Sequence, residues 1–88
     1  MEKCLGYKLA MRETDVDMTS TYIAVRISKY KGDAGNIFYR VSALKDQAAI
    51  DFFDEIPEFD TAAKKYAELQ TKYYGKIIAA VNPAELDQ

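Results

Sequence analysis

The sequence predicts an α+β domain, an antiparallel sheet of three to four strands covered on one face by one long amphipathic helix near the C-terminus. Two features of the chain carry that prediction. Residues 3–12, 21–30 and 37–44 alternate apolar and polar side chains with the period of two that marks a half-buried strand. Residues 62–73 switch to spacings of four, three and four, the period of a helix with one apolar stripe.

In the first strand Leu5, Tyr7, Leu9 and Met11 share one side. Glu13-Thr14-Asp15-Val16-Asp17-Met18-Thr19-Ser20 is polar and rich in turn formers, so it reads as a loop. The second strand sets Ile23, Val25 and Ile27 on one face and Tyr22, Ala24, Arg26, Ser28 and Tyr30 on the other. Lys31-Gly32-Asp33-Ala34-Gly35-Asn36 reads as a hairpin loop longer than the tightest turns. The return strand puts Ile37, Tyr39, Val41 and Ala43 on one face, with Phe38, Arg40 and Ser42 opposite.

Residues 46–60 hold six carboxylates and no cation. Their class is open. Asp46 is a good helix N-cap, Ile50 and Phe53 would share a helical face, and Pro57 would force an end at Ile56. Ile50, Phe52 and Ile56 also alternate tolerably as a strand, with Asp54 spoiling the set. Helix is favoured, although Asp54 and Glu55 would then sit at the negative end of its dipole.

Asp60 or Thr61 is expected to cap the main helix, whose stripe is Ala62, Tyr66, Leu69 and Tyr73. Gly75 is placed to end it in the left-handed conformation. Lys76-Ile77-Ile78-Ala79-Ala80-Val81 then reads as a final strand, with a helix running on through Gly75 as the competing view.

The length, 88 residues, gives a single domain spanning residues 1–88. A net charge of −2 argues against general affinity for nucleic acid or anionic membranes, which needs clustered Lys and Arg. No run approaches the ~18 apolar residues that span a bilayer. The start of the chain has no apolar signal core, so a cytoplasmic location is expected. Cys4 is the single cysteine and reads as an ordinary thiol.

Catalysis is not expected. The chain has no histidine, which removes the commonest general base and the commonest transition-metal ligand. The acidic stretch and Glu13–Asp17 lack the glycine about which a calcium loop turns. No metal or cofactor is expected either.

Binding is the reading that remains. Asp51, Asp54, Glu55 and Glu58 would steer toward and pair with a basic partner surface, and Phe52 or Phe53, whichever is exposed, would anchor. The leading expectation is therefore a non-catalytic acidic protein-binding domain that occupies a site on a larger protein, of the kind phages and mobile elements use as inhibitors. A nucleic-acid module is the alternative, with Tyr22, Arg26, Tyr30, Phe38 and Arg40 stacking bases and neutralising phosphates. A homo-oligomer is the third, pairing acids of one copy with Lys64, Lys65, Lys72 and Lys76 of another. For each set the structural alternative is a solvated face, or cross-strand pairs that stabilise the sheet.

Overall fold

The computed structural model describes residues 1–16 and 19–87, with side chains described outside 13–21. Four strands run β1 (Lys3–Val16), β2 (Thr19–Lys31), β3 (Ile37–Lys45) and β4 (Ala48–Ile56). Helix α1 (Phe59–Tyr74) and a short 3₁₀ turn (Pro83–Leu86) follow. The sheet is antiparallel throughout and in chain order, β1-β2-β3-β4. The α+β architecture read from the sequence is the one observed.

The helix lies across one face of this sheet. Ile23, Val25 and Ile27 of β2 and Tyr39, Val41 and Ala43 of β3 meet Ala62, Tyr66, Leu69 and Tyr74 of α1 in one buried core. Tyr74 closes its end, with its hydroxyl 2.5 Å from the Ile23 carbonyl and 3.0 Å from that of Ala10. Tyr73, expected in the stripe, packs at the margin of this core instead.

Five expectations need correction. The segment expected as a loop before β2 is largely ladder: Thr14 pairs with Thr21, Asp15 with Ser20 and Val16 with Thr19. Only Asp17 and Met18 of it lie outside the described residues. Backbone pairing there overrides a polar, turn-rich composition.

Residues 48–56 form a strand, not a helix. Asp46 and Gln47 both take positive φ, 50° and 67°, and make the two-residue turn whose twist matches antiparallel strands. That turn lays β4 along the free edge of β3, where its backbone groups are satisfied without a helix. A second irregularity, with Glu55 at φ 53°, falls where pairing shifts between Tyr39 and Val41. It re-phases the strand, so Phe53 packs on the core and Ile56 is buried in it.

Helix α1 starts earlier than expected. Glu58 is its N-cap residue, extended at φ −116° and without a side-chain cap, and Asp60 sits in the first turn, where its charge suits the dipole. Gly75 ends the helix at φ 76°, as expected. Residues 76–81, however, are neither strand nor helix. They form an extended strap tied down by side chains: Gln70 from the helix, and Lys8, which reaches the Ala80 carbonyl and Glu85 at 2.5 Å each.

The last correction concerns β1. Tyr7, Leu9 and Met11 do share a face, but that face points away from the helix, and a register shift between Cys4 and Gly6 takes Leu5 out of the alternation. Ala10 enters the core, and Gly6 lies against the backbone of Leu86. Small residues are needed on that side because the 3₁₀ turn and α1 approach it closely.

Candidate functional site

One sheet face is covered by α1 and the strap, and the other is bare. On the bare face, register sets Tyr7, Leu9 and Met11 of β1 beside Ser28, Arg26 and Ala24 of β2. These continue into Arg40, Ser42 and Leu44 of β3, and Phe52 lies beside Ser42 on β4. Large apolar side chains there are open to solvent: Tyr7 is 45% exposed, Leu9 43%, Met11 59%, Tyr22 59% and Phe52 54%. Scattered single apolar side chains are normal on a protein surface, whereas a grouping of large ones on one sheet face is the feature to explain.

The face has two parts. Toward the β2–β3 hairpin, Tyr30 stacks on Phe38 with ring centroids 5.4 Å apart and planes 10° from parallel. Arg40 lies 4.4 Å over Tyr30 and 5.5 Å from the Phe52 ring. Its guanidinium donates two bonds to Asp54, at 3.0 and 3.1 Å, and one to Glu2 at 3.1 Å. The Asp54 pair holds the Arg40 proton more firmly than usual, and the guanidinium keeps the Asp54 carboxyl below its ordinary value. Arg40 is therefore already neutralised within the chain. Arg26 lies 4.7 Å over the Tyr7 ring.

The other part is an apolar depression of about 290 Å³. Ala24 is its floor because its side chain is short, while Met11 and Leu44 flank it in register. Leu9, Tyr22 and the Asp46-Gln47 turn complete the wall.

Tyr22, Arg26, Tyr30, Phe38 and Arg40, grouped from the sequence, do share the bare face. Yet Tyr30 is buried beneath Arg40 and Phe38 is buried against Tyr30, while Tyr22 stands in the other part of the face. The acidic group is divided. Asp51 points to the helix side, accepting from Lys72 at 2.8 Å and from the Tyr73 hydroxyl. Lys72 foremost, then Tyr73, keeps the Asp51 carboxyl below its ordinary value. Phe52 and Asp54 belong to the bare face, whereas Phe53 packs against the core, so Phe52 is the exposed ring of the two. Glu55 and Glu58 are exposed at the corner between β4 and α1, and neither carboxylate makes an ion pair among the described residues.

No family model, curated protein or solved structure matches this chain.

Sequence reasoning missed Leu9, Met11, Leu44 and Asp46 as surface residues. Alternation says that Leu9 and Met11 share a side but not which side meets the helix. The usable signal was on their neighbours, since Gly6 and Ala10 are small enough for close approach and Leu9 and Met11 are not. A second, larger cleft of about 600 Å³ lies by the β2–β3 hairpin, with Glu2, Asp33 and Glu55 in its wall. Two of those acids are already paired, Glu2 with Arg40 and Asp33 with the N-terminal amine.

Proposed function

We propose that this chain is a non-catalytic protein-binding domain that docks through the bare face of its sheet onto a larger protein. The observation that carries the reading is the set of five large apolar side chains, Tyr7, Leu9, Met11, Tyr22 and Phe52, exposed on the sheet face that α1 does not cover. A partner covering them gains roughly 25 cal/mol for each Å² of apolar surface removed from water. The acids supply orientation. Asp46 borders the depression, while Glu55 and Glu58, at the corner between β4 and α1, make no ion pair among the described residues, so a partner with basic groups around an apolar patch fits best. Occupying such a site would make the domain an inhibitor or an adaptor in a cytoplasmic setting, and a phage-type inhibitor is the version we favour.

The aromatic and arginine character of the face would also suit nucleic acid. Support for that is weaker, because Arg40 spends its charge on Asp54 and Glu2, which leaves Arg26 as the arginine of this face for a phosphate among the described residues.

The test is capture of partners on the immobilised chain from a lysate of its source cells, with nuclease, and with identification of what is retained. A Met11→Glu/Phe52→Glu double variant should lose the retained protein, and Lys64→Glu on the solvent side of α1 should keep it. Equal retention by the double variant would remove the bare face from consideration. Loss of all retained material on nuclease treatment would move the reading to nucleic acid.

A further inference from the structure

The depression at Ala24 has a chemistry more specific than that of the face around it. Its floor and sides are aliphatic or aromatic, from Ala24, Met11, Leu9, Leu44 and Tyr22, and one carboxylate, Asp46, stands at its rim. Register carries Tyr22 one step beyond the Ile23–Lys45 pair, to the level of Asp46. The ring and the carboxylate therefore lie at the same end. Asp46 makes no ion pair among the described residues and is exposed. The nearest cation on this face, Arg26, is turned onto the Tyr7 ring at 4.7 Å and does not neutralise it.

An apolar trough closed at one end by a ring and an acid matches a side chain with an aliphatic stem and a cationic head. Such stems bury on apolar surface while the head stays wet. A cation over a tyrosine face adds attraction. Asp46 is a single carboxylate on an exposed turn, so the head keeps much of its hydration, which suits an ammonium better than a planar guanidinium. The volume, about 290 Å³, is ample for one such side chain.

Resting on the docking reading above, we infer that the depression receives a lysine side chain of the protein partner, its stem on Met11, Ala24 and Leu44 and its ammonium at Asp46 and Tyr22. The lysine is thus an orienting contact: the apolar face supplies affinity and Asp46 fixes which way the partner sits.

The experiment is an NMR titration of the isotope-labelled full chain with three short capped peptides, Ala-Lys-Ala, Ala-Arg-Ala and Ala-norleucine-Ala. The lysine peptide is expected to shift the amides of Met11, Ala24, Leu44 and Gln47 and to bind roughly five-fold more tightly than the norleucine peptide, the worth of one exposed ion pair. Asp46→Asn should abolish that preference without unfolding the turn, because Asn tolerates positive φ at least as well as Asp. Equal binding of the lysine and norleucine peptides overturns the inference, as does preference for the arginine peptide. Shifts confined to other parts of the chain also overturn it. Concentration-dependent shifts at the same amides before any peptide is added replace the partner lysine with a second copy. Partner capture separates this failure from failure of the docking reading. A partner lost by Met11→Glu/Phe52→Glu but held equally by Asp46→Asn removes the lysine and keeps the face, whereas a partner held by both variants removes the face as well.

Discussion

Gln70 grips Ala79 with both ends of its amide: Nε2 donates to the Ala79 carbonyl at 2.9 Å, and Oε1 accepts from the Ala79 N–H at 2.9 Å. The same Oε1 accepts from the N–H of Ile78 at 2.9 Å, and Nε2 also reaches the Tyr66 carbonyl at 3.3 Å. Gln70 is fully buried, so this one side chain stands in for the ladder that an added strand would have given the strap. Replacing Gln70 by Leu should cost about 2 kcal/mol, because backbone groups of the strap lose their partners. A urea titration measures the cost, and amide exchange at Ile78 and Ala79 should accelerate beyond that of the sheet. Unchanged exchange at those two positions would refute the role assigned to Gln70.

Gly6 should not tolerate a methyl group. A Cβ there would sit 2.3 Å from the Leu86 carbonyl oxygen and 2.6 Å from its carbon, both backbone atoms that cannot swing aside. Gly6→Ala is expected to destabilise by about 2 kcal/mol, as overpacking does, and to unseat Leu86. Thermal unfolding together with the Leu86 methyl signals tests this. A native melt with an unmoved Leu86 would contradict the close approach of Gly6 to the 3₁₀ turn.

Acid should loosen the fold at both faces of β4. Asp51 beside Lys72 and Asp54 beside Arg40 both titrate below their ordinary value of 3.8, and Glu85 beside Lys8 titrates below 4.5. A depressed carboxyl contributes stability above its unfolded value and loses it as pH falls through the folded one. Stability should therefore stay level between about pH 5 and 7, where a chain without histidine has little to titrate, and decline below about pH 4. Asp51→Asn/Asp54→Asn should flatten the decline. Urea midpoints across pH give the readout, and a double variant that declines as steeply as the parent would contradict the assignment.

The alkaline side belongs to Tyr66. Its hydroxyl is buried without a hydrogen-bond partner among the described residues, and burial foremost pushes its ionisation up to about 12. A raised folded value means stability that is whole below the unfolded value of 10.0 and is lost as pH rises toward 12. Phenolate absorbance should show a late phase, shared with Tyr73 and Tyr74 whose ionisation burial also raises, and Tyr66→Phe should shrink its amplitude by one tyrosine. Since that change deletes an unsatisfied polar group, the variant should be as stable as the parent or more so at neutral pH. A loss above about 1 kcal/mol would show that the hydroxyl is bonded after all.

Local pattern in the chain is enough for the alternation of β2, β3 and β1 from Tyr7 onward, the hairpin between β2 and β3, the helical stripe through Ala62, Tyr66 and Leu69, and the helix end at Gly75. Each rests on periodicity or on one residue's backbone preference, which are local properties. It also placed Tyr22, Arg26, Tyr30, Phe38 and Arg40 on one face, because side chains two apart on a strand must share a side. Tertiary structure alone decided which face met the helix, since alternation is symmetric and the choice fell to whether Gly6 and Ala10 or Leu9 and Met11 could lie under the 3₁₀ turn and α1. It decided β4 as well. Asp46 and Gln47 carry no glycine to announce a tight turn, and the free edge of β3 offered residues 48–56 hydrogen bonds that a short acidic helix could not match. The strap was equally illegible, because its bonds come from Gln70 and Lys8, residues close to it only once the chain has folded. For the same reason the acidic run did not become one acidic surface: Asp51 and Asp54 found Lys72 and Arg40 on opposite faces of the sheet, while Asp46 on the turn and Glu55 and Glu58 at the corner make no ion pair among the described residues.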